Sequence, residues 1–158
     1  MSEIRFVPAW RRDDPNIRDD AFALWDRLKV LPAGVTPEVR AREICAAAYE
    51  GDRLIGLSSA AIVLYPPLRQ NFAFTRVLVD PEQRRRTLAR QFILQSRDIL
   101  QAWAKVHPEA ALAGLAAIIT VPRMLDKPVA ESGLALVGYT PEGYEVRVIW
   151  FDHFRVPR

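Results

Sequence analysis

The stretch VDPEQRRRTLAR at 79–90 constrains this chain more than any other. It follows an apolar run rich in β-branched and aromatic residues, Phe72–Val79, which predicts a strand. Asp80-Pro81 stops that run, because proline lacks the N–H that a sheet ladder needs and disfavours helix in the residue before it. The pattern then changes. Leu88, Phe92, Ile99 and Trp103, with Ala89, Ile93 and Leu100, cover one broad face of an amphipathic helix from about Arg86 to Ala104. Strand end, turn, basic loop and helix start thus follow one another directly. A helix start carries unpaired backbone N–H groups and the positive end of the helix dipole, and together these hold phosphate groups. Arg84, Arg85, Arg86 and Arg90 stand beside it, and arginine adds charge-assisted hydrogen bonds to phosphate. The chain is rich in arginine, so a solvated basic patch is the competing reading of this cluster.

The flanking segments supply the rest of a layered fold. Glu3–Val7 predicts a first strand. Asp14 and Pro15 predict a helix start, and Phe22, Trp25 and Leu28 recur at helical spacing through Asn16–Val30. A short helical piece is expected after Thr36-Pro37-Glu38. Glu43–Tyr49 and Leu54–Leu64 are apolar runs around Glu50-Gly51-Asp52-Arg53, the pattern of a hairpin. Leu115–Val121 predicts a buried strand and Lys127–Leu136 a short helix entered through Pro128. Val137–Thr140 and Tyr144–Phe151 predict a second hairpin; in the latter, Tyr144, Val146, Val148 and Trp150 alternate with Glu145, Arg147 and Ile149. The order β, α, β-β-β-α, β-α-β-β predicts a mixed sheet covered by helices on both faces.

Composition narrows the function. At 158 residues the chain is expected to form a single domain over 1–158. No apolar run reaches the ~18 residues of a membrane span, and the N-terminus MSEIRFVPAW lacks the pattern of a signal peptide. The one cysteine, Cys45, fits a reducing compartment, so a cytoplasmic location is expected. Two histidines and one cysteine far apart predict no metal site. The net charge is only +3 with acids and bases interspersed, so nucleic acid is not the expected partner.

The 79–90 segment resembles the phosphate loop of the GNAT acyltransferase superfamily. That family carries a strand, a Val-x-Pro turn and Arg/Gln-x-x-Gly-x-Gly/Ala at the start of a long helix. Here Val79-Asp80-Pro81 is followed by Arg84-Arg85-Arg86-Thr87-Leu88-Ala89. Thr87 stands where the family has glycine, and its branched Cβ replaces the open backbone that glycine provides. The element order from about residue 3 to 151 is similar throughout, and Gly138-Tyr139 resembles the Gly-Phe pair after the family's last helix. The resemblance implies an α/β (α+β) fold with a mixed, mostly antiparallel central sheet of six to seven strands. It implies acetyl-CoA (coenzyme A) as acyl donor, bound by Arg84, Arg85, Arg86, Thr87, Ala89 and Arg90. It also implies that the backbone of Leu78 and Val79 pairs with the pantetheine amides, as an added strand would.

Catalytic residues are not identified from the sequence. The family's usual tyrosine falls on Leu134, with Ser132 and Tyr139 the nearby hydroxyls, and Phe72–Val79 contains no carboxylate. The expected activity is transfer of an acetyl group to an amine of a small molecule or peptide. An inactive protein of the same fold, binding CoA as a regulatory ligand or acting as an interaction domain, is the alternative. A homodimer is compatible with the C-terminal segment Phe151–Pro157. Asp13, Asp14, Asp19 and Asp20 gather near the first helix, where the family's acceptor site often lies; ordinary helix capping is the competing account. Trp10 lies in a polar loop, where stacking on a ligand competes with packing.

Overall fold

A computed structural model of the chain describes residues 3–83, 87–120 and 127–156. Its elements in chain order are β1 (Ile4–Pro8), α1 (Pro15–Leu28), α2 (Pro37–Ala41), β2 (Ile44–Glu50), β3 (Arg53–Tyr65), β4 (Gln70–Val79), α3 (Leu88–Val106), β5 (Leu112–Ile119), β6 (Ala135–Tyr139) and β7 (Glu145–Trp150). The seven strands form one sheet in the order β1-β2-β3-β4-β5-β7-β6. Strand β4 pairs with β5 in parallel, and this follows from the connection: a strand that returns through a helix such as α3 re-enters alongside and parallel. The β1–β2, β2–β3, β5–β7 and β6–β7 pairs are antiparallel.

Two compact units divide the chain. The first holds residues up to Ala60 together with Arg76–Ile99. Its helix α1 begins as the sequence predicts, with Asp14 Oδ1 accepting from the N–H groups of Asn16 (2.9 Å) and Ile17 (3.2 Å). Strand β2 is buried on both faces, and alternation along it sorts its side chains. Ala47 and Tyr49 pack with Leu54 and Leu57 of β3 against Ile17, Ala21, Leu24 and Trp25 of α1. Ala46 and Ala48 pack with Ile55 of β3 against Leu88 and Phe92 of α3. Helices α1 and α3 therefore lie on opposite faces of this part of the sheet. Small residues on β2 let both helices approach it closely.

The second unit holds Ala61–Thr75 and the residues from Leu100 onward. Its core joins Phe72 of β4, Ala113 and Ala116 of β5 and Val148 of β7, with Tyr65 and Phe74 packed against them. Strand β5 starts three residues earlier than expected, because the chain turns through a left-handed Ala111 (φ 49°) directly after Pro108–Ala110. Phe151 is buried within its own chain, and its N–H bonds Ala113 O at 2.9 Å.

The helix expected over Lys127–Leu136 does not form among the described residues of that span. They make a small hairpin instead: Val129 bridges Ala135, Ala130 N–H bonds Leu134 O, and Leu136 N–H bonds Pro128 O, both at 2.9 Å. The turn is Ala130-Glu131-Ser132-Gly133, closed by Gly133 N–H to Ala130 O, and Gly133 adopts φ +95°. That backbone is open to glycine at little cost and breaks a helix. Arg147 of β7 supplies what the missing helix bonds would have supplied. It is wholly buried, and its guanidinium donates to the carbonyls of Leu134 (3.0 Å), Pro128 (3.3 Å) and Lys127.

Candidate cofactor site

The turn after β4 is held by a buried carboxylate. Asp80 is fully buried, and its Oδ1 accepts from the N–H of Glu82 at 3.0 Å. Its Oδ2 accepts from Arg27 of α1 at 2.5 Å and from Arg53 of β3 at 3.1 Å. Its backbone closes the turn from both sides, with Asp80 N–H to Ile55 O and Gln83 N–H to Asp80 O, each at 2.8 Å. Arg53 also bonds Glu82 at 2.7 Å. Burial opposes the charge on Asp80, but the Glu82 N–H, Arg27 and Arg53 outweigh it and hold the carboxyl below the usual carboxylate range.

The side chains of Leu78 and Val79 go to opposite cores. Leu78 packs on the α1 side and Val79 on the α3 side, so the backbone rather than either side chain is what this strand end offers a ligand. Gly56 of β3 makes the arrangement possible. A Cβ there would lie 2.8 Å from the Leu78 carbonyl oxygen and 2.9 Å from the Phe92 ring.

Beyond Gln83 the residues read as a phosphate site divide. Arg84, Arg85 and Arg86 lie outside the described residues. Thr87, Ala89 and Arg90 are exposed at the start of α3, while Leu88 between them is buried and anchors the helix. The Thr87 side chain therefore stands in solvent and does not fill the core, and Thr87 O accepts from Gln91 N–H at 2.9 Å in the first turn. An exposed helix start with a small side chain at 89 is the kind of place that can hold a pyrophosphate.

Residues considered for catalysis do not come together as a site. Leu134 and Ser132 are buried and Tyr139 is 61% exposed. One carboxylate does reach β4: Glu43 accepts from Arg76 at 2.8 Å, and Arg76 Nε also bonds Ser59 Oγ at 3.3 Å. Glu43 lies 3.5 Å from Arg40 Nε as well. The aspartates near α1 are engaged within the chain, with Asp14 capping the helix, Asp13 and Asp19 beside Arg18, and Asp20 accepting from Tyr49 O–H at 2.6 Å. Trp10 is buried at 5% exposure, with the Arg11 guanidinium 4.5 Å from its ring centre, so packing accounts for it. Among the described residues no group of three or more His, Cys, Asp or Glu is placed to hold a metal ion.

The architecture recurs in solved structures. A GNAT-family acetyltransferase from Streptococcus pneumoniae aligns with a TM-score of 0.59 and 12% identity, covering 94% of this chain and 99% of that one. The putative acetyltransferase yncA from Salmonella typhimurium, solved with acetyl-CoA, aligns at 0.61 and 13% identity, covering 100% and 98%. The chain has the GNAT fold. Diaminobutyrate acetyltransferase EctA from Paenibacillus lautus, in complex with L-2,4-diaminobutyric acid and coenzyme A, shares the GNAT fold with it at a TM-score of 0.57 and 15% identity, covering 99% and 100%. No protein-family model and no curated protein matches the sequence.

Sequence reasoning singled out the 79–90 segment as a candidate phosphate site but not what fastens the turn at its start. Asp80 read only as a strand breaker. Its partners lie 53 and 27 residues away, too far for any local pattern to mark them.

Proposed function

We propose that this chain is an acyl-CoA-dependent N-acyltransferase that moves an acetyl group from acetyl-CoA to an amine. The observation that carries the reading is the exposed start of α3, which follows, after the Asp80 turn, a β4 end whose side chains pack into two cores. Leu78 and Val79 would offer backbone groups to the amide-containing arm, and the helix start with Thr87, Ala89 and Arg90, joined by Arg84–Arg86, would hold the pyrophosphate. The thioester supplies an activated acyl carbon. The chain's part is to bind and orient it against the amine, and orientation alone supplies much of the rate in such bimolecular transfers. The acetyl-CoA and coenzyme A complexes of the yncA and EctA structures support this reading. No helix among the described residues is long and apolar enough to cross a membrane.

Calorimetric titration of acetyl-CoA and desulfo-CoA tests it. Saturable binding is expected, and ligand at about 100 times its dissociation constant should stabilise the fold by about 2.7 kcal/mol. Arg84→Ala with Arg86→Ala should weaken binding by at least tenfold. Release of free thiol with a panel of amines should then follow. Absence of binding to the folded protein would overturn the assignment, and binding without turnover on any amine would favour a regulatory CoA-binding role.

A further inference from the structure

A second place on the chain forms an open cavity lined by charged and apolar residues. Where β1 leads into α1 and α2 leads into β2, an open cavity of about 530 Å³ lies within the first unit, a volume in the range of small-molecule sites. Its lining includes the buried apolar residues Ala9, Ile17 and Ile44. Around them stand four arginines, Arg11, Arg12, Arg18 and Arg42, against the acids Asp13, Asp14 and Glu38, so the lining carries one positive charge in excess (four minus three).

The charges are not equally engaged. Asp14 caps α1, and Arg18 lies 3.5 Å from Asp13 and 3.8 Å from Asp19. The chain turns through a left-handed residue at Arg11 (φ 56°), whose guanidinium stacks on Trp10. The side chains of Arg12 and Arg42 have no hydrogen-bond or ion-pair partner among the described residues, although both line the cavity. Two guanidinium groups without partners beside an apolar floor match a ligand with an anionic end and a short apolar body. Guanidinium is planar and takes a carboxylate through two parallel hydrogen bonds. A single excess charge suits a monoanion, whereas a phosphate dianion would meet three acids in the same cavity.

We propose that this cavity binds a small aliphatic carboxylate, with Arg12 and Arg42 on its carboxylate and Ala9, Ile17 and Ile44 against its apolar part. The site shares no residue with the cofactor site, so either can fail without the other.

The test uses isovalerate as probe, its neutral isostere isovaleramide and inorganic phosphate, each titrated against the full chain by calorimetry or by NMR. Isovalerate should bind saturably and at least tenfold more tightly than isovaleramide or phosphate. Arg12→Ala combined with Arg42→Ala should weaken isovalerate at least tenfold while leaving acetyl-CoA binding as in the unaltered chain; both positions are exposed, and the melting temperature checks the fold. Equal affinity for the amide, unchanged isovalerate affinity in the double variant, or tighter binding of phosphate would each overturn the proposal. The ligand comparison on the unaltered chain decides the matter even where the double variant is unstable.

Discussion

Asp80 Oδ2 lies 2.5 Å from Arg27 Nη2, so the end of α1 is fastened to the turn that leads from β4 to α3. With Arg53 at 3.1 Å on the same oxygen and the Glu82 N–H on the other, one buried carboxylate gathers a helix, a strand and a turn. The bonds are charge-assisted, and the carboxylate is dry while both guanidinium groups remain about half exposed.

Asp80→Asn should therefore destabilise the protein by about 2 kcal/mol, because the amide keeps one acceptor but leaves two arginines facing a neutral group. Urea unfolding measures this. The same variant should weaken acetyl-CoA binding, since the turn before Thr87 loses its anchor. Binding and stability both unchanged would show that the turn is held by its backbone alone.

The depressed pKa of Asp80 has a definite sign in pH. A carboxyl held below its unfolded value contributes stability above that unfolded value and loses it as pH falls through the folded one. Acid unfolding of the unaltered chain should steepen below about pH 4. Asp80→Asn should flatten that part of the profile relative to the unaltered chain while leaving the neutral-pH slope alone. Parallel profiles from pH 5 to pH 2 would contradict the assignment.

Arg147 and Glu145 form a buried pair at 2.5 Å, and Arg147 also satisfies carbonyls of the 127–134 hairpin. Removing one partner strands the other charge, so Arg147→Met should cost about 3–5 kcal/mol. Arg147→Met with Glu145→Leu should recover a substantial part of the loss, because an apolar pair replaces an ion pair at lower desolvation cost. Additive losses in this double-mutant cycle would mean that the two side chains act independently.

Cys45 is buried, and burial pushes its thiol up to about 12 against the opposing effect of Ser96 and Ser58. The thiolate is the reactive form, so iodoacetamide at pH 8 should label Cys45 only after denaturant is added. Rapid labelling of the native protein would show that β2 opens locally.

Much of the fold was legible in the chain because its signals are local. Asp14-Pro15 starts α1 and Asp80-Pro81 ends β4 by the chemistry of neighbouring backbone groups. The failure over Lys127–Leu136 is equally instructive. Pro128 looked like a helix opening, yet Gly133 and a guanidinium from β7 close a hairpin there. Period-2 alternation in β7 separated Glu145 and Arg147 from the valines but said nothing of their burial. A charged pair goes into a core only when partners from elsewhere in the chain meet it.

The sequence by itself determined the order of the strands and of helices α1, α2 and α3, and marked the candidate phosphate site, since periodicity, proline turns and a helix start depend on residues within a few positions of one another. Only the tertiary structure decided that Asp80 is the anchor of that turn, that Arg147 replaces a helix, and that Arg12 and Arg42 share a cavity. Those relations join residues tens of positions apart, and their energies come from burial and from distances that exist only once the chain has folded.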